Sequence, residues 1–263
     1  MNKNLGIVCG TRPDIVKLSP VIRYCTKNSI PYTLIHSGQH YDHEMDGIFF
    51  DDLGLPKPDI NLKSSHESNL SSLDQTAVMM NKFKKVFSEE LIDIVIVLGD
   101  TNTALAASLI ARKMQLKLAH IESGLRSYDW RMQEEHNRVM IDHISDLKFA
   151  PTQTAVNNLL RENISKNTVY LTGNTIVDSL QQNLNIAYKK SKILEKLGLN
   201  QKFILVTSHR PENVDDPLRL KQVVEGISQI ANTFNHKVVF PIHPRTLKKI
   251  KEIQSQTPEE ILQ

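Results

Sequence analysis

The sequence predicts an α/β protein with a mostly parallel sheet and helices on both of its faces. Short apolar runs recur along the chain, and amphipathic stretches of helical length separate them. This alternation favours βαβ units, in which helices join parallel strands and cover the sheet. Polar residues follow the ends of several apolar runs, and that edge of a parallel sheet is where ligands bind.

The apolar runs and the stretches between them give the elements of the first domain. The strands are predicted because each run is short and mostly aliphatic, and the helices because apolar residues recur at helical spacing. The predicted strands are Leu5 to Cys9, Tyr32 to His36, Ile92 to Leu98, Lys117 to Ile121, Leu147 to Ala150 and Val169 to Leu171. The predicted helices are Val16 to Lys27, Leu73 to Ser88, Thr103 to Met114, Glu134 to Ser145 and Thr154 to Arg161.

The alternation pauses at Gly173-Asn174-Thr175, which predicts two domains with bounds 1–172 and 173–263. The second domain offers too little sheet for an independent doubly wound unit of about 100 to 150 residues, so we expect it to be incomplete. Its predicted elements are a helix at Ile176 to Leu194, a strand at Phe203 to Thr207, a helix at Pro217 to Phe234, a strand at Val238 to Pro241 and a helix at Pro244 to Gln254.

The composition is that of a globular protein and excludes some functions. The chain has 263 residues, of which 40% are apolar and 23% charged, and no apolar run approaches the roughly 20 residues of a membrane span. The net charge of +3 is spread along the chain, which argues against nucleic acid as a partner. No secretory signal opens the sequence, and Cys9 and Cys25 have no metal-ligand spacing. We therefore expect a cytoplasmic protein with two reduced, buried cysteines.

Polar segments follow the predicted strands at the edge where ligands bind. Because the carboxyl ends of parallel strands meet at one crevice, we expect these segments to lie together. They are Gly10-Thr11-Arg12-Pro13, Gly99-Asp100, Glu122-Ser123-Gly124, Ser208-His209-Arg210 and His243-Pro244-Arg245.

The segment after the first strand is a candidate phosphate site. Gly10 permits a tight turn, the N–H groups at the start of the next helix can receive an anion, and Arg12 can add a bidentate contact. Lys17 lies one turn into that helix. A plain strand-to-helix turn with a solvated arginine explains the segment equally well. No GxGxxG or Walker motif occurs, so neither a dinucleotide nor ATP is indicated.

The carboxylates after the later strands suit proton transfer. Asp100 has the alternative role of helix N-cap, and the paired Glu134 and Glu135 also fit the first turn of a helix, whereas no helix or turn requires Glu122. Crowded carboxylates shift one another's pKa values apart and so give an acid and a base near neutral pH. The residues thus predict an enzyme that acts on a phosphorylated or nucleotide-linked small molecule without a metal or redox cofactor.

At this point the motifs resemble those of the non-hydrolysing UDP-N-acetylglucosamine 2-epimerases. The resemblance runs from the first strand to about His243. It rests on Gly10-Thr11-Arg12-Pro13-Asp14, Gly38-Gln39-His40, Gly99-Asp100-Thr101, His120-Ile121-Glu122-Ser123-Gly124-Leu125-Arg126, Glu134-Glu135-His136-Asn137-Arg138, Thr172-Gly173-Asn174-Thr175 and Ser208-His209-Arg210-Pro211-Glu212-Asn213.

The resemblance implies a glycosyltransferase-B-like fold of two Rossmann-like domains, with catalytic carboxylates in the first and UDP-binding residues in the second. It also implies interconversion of UDP-N-acetylglucosamine and UDP-N-acetylmannosamine, by elimination and re-addition of UDP with inversion at C2. No cofactor is implied, and the full-length form is expected to be a homodimer. The chain ends before the family's Asp-Ser-Gly-Gly segment, so we expect it to be truncated at its C-terminal end.

The resemblance also implies residue roles. Asp100, Glu122 and Glu134 are expected to be the acid and base carboxylates. His209 and Arg12 are expected to bind the UDP phosphates, and His209 is counted among the catalytic residues. The other implied roles are in substrate binding: Lys17 supports the phosphate site, and Gln39, Arg210 and His243 match residues that bind a second UDP-N-acetylglucosamine in some bacterial members.

Three alternatives stay open on the sequence. A hydrolysing relative would release UDP and free N-acetylmannosamine, and a glycosyltransferase on the same fold would require an acceptor. The third alternative is a non-catalytic fragment that binds a nucleotide sugar, which the incomplete second domain favours.

Overall fold

The computed structural model describes residues 4–38, 43–64, 71–208, 211–242 and 244–254. The chain forms two compact units, Met1–Ala187 and Tyr188–Gln263. Each unit contains a parallel sheet with helices, as the alternating pattern of the sequence predicts.

The first unit is built on a seven-stranded sheet in the order β3-β2-β1-β4-β5-β6-β7, and every neighbouring pair is parallel. From β1, the strands β2 and β3 are added successively on one side of the sheet, and β4 to β7 are added successively on the other side. The strand order therefore reverses between β1 and β4. Open α/β sheets bind ligands outside the carboxyl ends of the strands at such a point. The strands are β1 (Leu5–Cys9), β2 (Tyr32–His36), β3 (Ile60–Asn61), β4 (Ile94–Leu98), β5 (Lys117–Ile121), β6 (Leu147–Ala150) and β7 (Val169–Leu171).

Helices connect these strands, and most lie close to their predicted positions. The first begins at Arg12, earlier than the predicted Val16, because Pro13 suits a first helical turn. The second, His43–Asp52, and the two-residue β3 were not predicted, since neither shows a clear apolar period. The helices are α1 (Arg12–Lys27), α2 (His43–Asp52), α3 (Ser72–Glu89), α4 (Asn102–Lys113), α5 (Gln133–Ile144), α6 (Gln153–Arg161) and α7 (Thr175–Lys190), with a 3-10 turn at Lys166–Thr168.

Two buried clusters cover the two faces of this sheet. Successive strand residues point to opposite faces, so Val8 packs with α3 and α4 whereas Ile7 packs with α1 and α2. Phe83 of α3 and Ile15 of α1 are fully buried in their respective clusters. The arrangement confirms the predicted sheet with helices on both faces.

The first unit extends into α7, beyond the expected division between residues 172 and 173. Ser179 Oγ lies 3.3 Å from Ser19 Oγ of α1. Arg23 of α1 donates to Gln182 Oε1 at 2.7 Å and to Asn183 Oδ1 at 2.8 Å. These contacts attach the first turns of α7 to α1, which is why the unit continues to Ala187.

The second unit contains a pair of parallel strands in which Phe203 lies opposite Lys237. Both strands are shorter than predicted, and the helix expected at Ile176 to Leu194 ends at Lys190. The Asp216 side chain caps the helix Pro217–Phe234 by accepting from the backbone N–H groups of its first turn. The elements are α8 (Ile193–Lys196), β8 (Phe203–Leu205), α9 (Pro211–Val214), α10 (Pro217–Phe234), β9 (Lys237–Val239) and α11 (Pro244–Gln254).

The structure also tests the expectation of buried cysteines and the search for a membrane-spanning segment. Cys9 and Cys25 are free thiols and are buried, which confirms that prediction. Over the described ranges, no helix is both long and apolar enough to cross a membrane.

Candidate active site

Four predicted site residues of the first unit, Arg12, Lys17, Asp100 and Glu122, lie in the segments that follow β1, β4 and β5. These strands are neighbours at the point where the strand order reverses, so their following loops share one edge of the sheet. The Gly99 N–H donates to Ile121 O at 3.0 Å, which joins the loop after β4 to the end of β5.

Gly10 follows β1 at a position where two other elements come very close. A Cβ atom there would lie 2.1 Å from Thr103 Oγ1 of α4 and 2.5 Å from Ser37 Oγ after β2. Those two hydroxyls are themselves 2.8 Å apart and hydrogen-bonded. Gly10 is therefore required by close packing of the loops around the site.

The Asp14 carboxylate occupies two backbone N–H groups immediately before α1. It accepts from the backbone N–H groups of Gly10 and Thr11, both at 3.0 Å. Burial raises the pKa of Asp14 to about 6, although these hydrogen bonds oppose the shift. The N–H groups of Gly10 and Thr11 are therefore not open to an anion.

The cationic side chains of α1 reach two different partners. The Lys17 Nζ lies 2.8 Å from Glu122 Oε2, and the carboxylate side chain is only 6% exposed. The Arg12 guanidinium lies over the Phe49 ring of α2, 5.9 Å from its centroid. Lys17 and Glu122, which were predicted as separate site residues, thus form a direct ion pair.

Glu122 begins a tight turn after β5. Its φ of 68° lies in the left-handed region, which costs a residue with a side chain about 1–2 kcal/mol. Gly124, with φ 80°, ends the turn, and a Cβ there would lie 2.3 Å from Ala155 O. Between them, Ser123 donates its hydroxyl to His120 O at 2.8 Å. The turn that presents Glu122 is therefore closely fixed.

Asp100 is held by α5 and does not cap α4. The N-cap of α4 is Thr101, whose hydroxyl accepts from the Ala104 N–H at 3.2 Å, so the N-cap interpretation of Asp100 is wrong. The Asp100 carboxylate instead forms an ion pair with Arg138, and its backbone carbonyl accepts from the Asn137 side chain at 2.9 Å. This arrangement fixes both the main chain and the side chain of Asp100.

The adjacent Glu134 and Glu135 lie in different environments. Glu135 is buried and accepts from the backbone N–H groups of Ser127 at 2.9 Å and Tyr128 at 3.0 Å. Burial raises the pKa of Glu135, but these donors and Arg138 outweigh it and hold the pKa below its usual value. Glu134 is exposed in the first turn of α5. Glu135 thus stabilises a loop, while the Glu134 side chain faces solvent.

Behind these loops lies a buried group of charged residues that the sequence analysis did not identify. His120 contacts the Asp142 carboxylate at 2.7 Å, and Asp142 also pairs with Arg126 at 2.7 Å. Arg126 in turn forms two hydrogen bonds with Glu162, at 2.7 and 2.6 Å. A histidine within an apolar strand, His120, is the signal that could have indicated this group.

Several predicted site residues lie outside the described residues, so the structure gives no contacts for them. They are Gln39, His209, Arg210 and His243. Among the residues that the structure does describe, no three His, Cys, Asp or Glu side chains are grouped as a metal site.

The chemistry of the described site follows from its charges. Asp100 and Glu122 can each accept or return a proton, and each has a cationic partner. Lys17 and Arg12 add positive charge near the end of β1, which favours a ligand that carries phosphate.

Comparison with known proteins identifies the family of the chain. A family model described as UDP-N-acetylglucosamine 2-epimerase matches residues 23–262. The chain is 47% identical over 251 residues to UDP-N-acetylglucosamine 2-epimerase of Methanocaldococcus jannaschii, covering 94% of this chain and 68% of that protein. It is 48% identical over 251 residues to the Methanococcus maripaludis enzyme of the same name, covering 94% of this chain and 67% of that protein.

A solved structure gives the same likeness in three dimensions. The crystal structure of Methanocaldococcus jannaschii UDP-GlcNAc 2-epimerase in complex with UDP-GlcNAc and UDP superposes with a TM-score of 0.85 at 47% identity. The match covers 95% of this chain and 69% of that chain, so the chain spans about two thirds of the length of these relatives. The fold class is accordingly the glycosyltransferase-B-like α/β class that the motifs imply.

Proposed function

The chain belongs to the UDP-N-acetylglucosamine 2-epimerase family, and on this basis we propose that it interconverts UDP-N-acetylglucosamine and UDP-N-acetylmannosamine. The reaction removes the C2 proton as UDP leaves C1, which gives a bound 2-acetamidoglucal. UDP then adds back to C1 while C2 receives a proton on the opposite face. Each half of the reaction needs a proton acceptor or donor at C2 and positive charge beside the diphosphate.

The observation that carries the proposal is the pair of fixed carboxylates at the reversal of strand order. Glu122 is held by Lys17, and Asp100 is held by Arg138. Asp100 follows β4, which pairs with β1, and Glu122 follows β5 on the other side of β4. The helix after β1 begins at Arg12. Positioned acids and bases contribute about 10²- to 10⁴-fold each, so these two groups suit the proton transfers at C2.

Residue roles follow from the motifs and the geometry together. We assign Asp100, Glu122 and the exposed Glu134 to proton transfer, and Arg12 with His209 to the UDP phosphates. Lys17 supports the phosphate site and also holds Glu122. Residues 173–263 are assigned to UDP binding, and the side chains assigned to a second UDP-N-acetylglucosamine are Gln39, Arg210 and His243.

Proton NMR of UDP-N-acetylglucosamine in D2O with this chain tests the proposal. We expect deuterium at C2 and the appearance of the manno epimer, without free N-acetylmannosamine. Glu122→Gln and Asp100→Asn should each slow the exchange by about 10²-fold or more. Glu90→Gln, an exposed carboxylate after α3, is the matched control and should leave the rate unchanged.

The other outcomes distinguish the alternatives. Release of UDP with free N-acetylmannosamine would identify a hydrolysing enzyme. Stabilisation of the chain by UDP without exchange at C2 would identify a module that only binds the nucleotide sugar. Either result would overturn the proposed interconversion for this chain.

We also propose a homodimer for the full-length form and a cytoplasmic location. Two buried, free thiols, Cys9 and Cys25, suit a reducing compartment. Sedimentation of the full-length form and fractionation of cells that produce it test the two statements separately.

A further inference from the structure

His120 contacts both of the loops that carry the proposed catalytic carboxylates. Its ring is fully buried. Nε2 lies 2.8 Å from Gly99 O, immediately before Asp100, and Nδ1 lies 2.7 Å from Asp142 Oδ1. The other carboxylate oxygen of Asp142 accepts from the Gly124 N–H at 3.0 Å, in the turn that Glu122 begins.

The partners of the ring determine its protonation. A carbonyl oxygen such as Gly99 O only accepts, so Nε2 carries a proton. Asp142 Oδ2 already accepts from the Gly124 N–H and from the Arg126 guanidinium, which favours the ionised carboxylate. Although burial raises it, the charge and hydrogen bond of Arg126 help to hold the pKa of Asp142 below its usual value. An ionised carboxylate also only accepts, so Nδ1 carries a proton as well.

The surrounding charges are consistent with a cationic ring. The hydrogen-bonded members of the group are two carboxylates, Asp142 and Glu162, and the guanidinium of Arg126. A protonated His120 is paired with the Asp142 carboxylate through Nδ1, and buried charges are tolerated when they are paired and hydrogen-bonded. Lys148 of β6 also faces Asp142 and donates to Ser145 O. His143 lies at the exposed side, 3.4 Å from Glu162.

We propose that His120 is a positioning residue, a buried imidazolium that joins the loop after β4 to the turn after β5 and thereby fixes Asp100 relative to Glu122. The Gly99 carbonyl belongs to the peptide bond that leads into Asp100, so Nε2 sets the orientation of that peptide plane. Through Asp142, the same ring fixes Gly124 at the end of the Glu122 turn. The effect of this arrangement on catalysis rests on the proposed function, whereas the protonation state of His120 does not.

Nitrogen NMR of the histidine rings in the wild-type chain tests the protonation state without turnover. Through-bond correlations from the backbone assign the ring of His120, so no variant is needed. We expect protons on both of its nitrogens near neutral pH, as its two hydrogen-bond acceptors require. An unprotonated nitrogen on His120 near neutral pH would overturn the imidazolium.

A variant pair tests the positioning role. In His120→Asn, we expect kcat to fall by about 10²-fold with KM changed less than about 3-fold, because displaced catalytic groups cost rate. The amide resonances of Asp100 and Gly124 should shift together in this variant. His143→Asn removes a histidine from the exposed side of the same group and should change neither kcat nor these resonances.

The two proposals can fail separately. If the wild-type chain does not exchange the C2 proton, the proposed function fails, while ring protonation and the amide resonances still decide the role of His120. Unchanged amides of Asp100 and Gly124 in a folded His120→Asn chain would overturn the positioning role. So would a loss of activity that lies entirely in KM.

Discussion

Lys17 and Glu122 form an ion pair of 2.8 Å between residues that lie 105 positions apart in the sequence. The lysine comes from α1 and the glutamate from the turn after β5, so the pair joins two strand ends across the centre of the sheet. The glutamate side chain is 6% exposed and the lysine side chain 29%. Removing the lysine would therefore leave a buried carboxylate without its cationic partner.

Lys17→Met is expected to lower the free energy of unfolding by about 1–3 kcal/mol, the cost of leaving a buried polar group unpaired. Urea denaturation measures the change. In a double-mutant cycle with Glu122→Gln, we expect a coupling energy of about 0.5–3 kcal/mol. Lys85→Met is the control, because its pair with Glu89 is exposed and worth at most about 0.5 kcal/mol. Equal losses from the Lys17 and Lys85 variants would contradict the prediction.

The left-handed backbone of Glu122 gives a second prediction. Because φ is 68° and only glycine adopts this conformation without steric cost, the free energy of unfolding should be about 1 kcal/mol higher for Glu122→Gly than for Glu122→Ala. Neither variant keeps the ion pair, so the comparison isolates the backbone. At the exposed helical position Lys84, the order should reverse, with the alanine variant about 1 kcal/mol more stable than the glycine variant. Equal stabilities at position 122 would argue against strain in the turn.

The first sheet could be predicted closely from the sequence because most of its strands are short, buried and aliphatic. β1, β2, β5, β6 and β7 have the predicted bounds. α2 could not be predicted, since Gly47 and adjacent acidic residues obscure any helical period. β3 is a two-residue edge strand, which depends on pairing with β2 more than on its own composition.

The site could be predicted only in part. Asp100 and Glu122 were identifiable because they directly follow apolar strands. Their partners were not, because pairing between Asp100 and Arg138 depends on how α5 packs beside the loop after β4. In the same way, His120 and Asp142 meet only through the packing of α5 on the sheet, which local sequence patterns do not encode.

The raised pKa of Asp14, about 6 against an ordinary 3.8, predicts how stability depends on pH. The folded chain binds the Asp14 proton more tightly than the unfolded chain does. The protonated Asp14 therefore contributes fully to the free energy of unfolding below about pH 4, and this contribution is lost as the pH rises towards 6. Relative to Asp14→Asn, wild-type stability should therefore fall over this window, by up to about 3 kcal/mol. Urea denaturation of both chains at pH 4.5, 5.5 and 7 measures the difference.

Asp129 provides the matched control for this pH dependence. Hydrogen bonds from the Arg131 side chain and backbone lower the pKa of Asp129 to about 2. Its contribution is present above pH 4 and is lost only at lower pH, which is the opposite sign to Asp14. The stability difference between wild type and Asp129→Asn should thus stay constant from pH 4.5 to 7. A similarly flat difference for Asp14→Asn would show that its carboxyl group titrates normally.

The pair between Asp100 and Arg138 predicts a loss of rate more than of substrate affinity. Arg138 holds the Asp100 carboxylate and also lies 3.3 Å from Glu135, so Arg138→Met releases a proposed catalytic group from its position. We expect kcat for C2 exchange to fall by about 10²-fold, as for other displaced acid or base groups, with KM nearly unchanged. Arg112→Met is the control, since it breaks a comparable ion pair, to Asp146 at 2.9 Å, that involves no proposed site residue. Equal effects on kcat in the two variants would mean that Arg138 acts on the stability of the fold and not on Asp100.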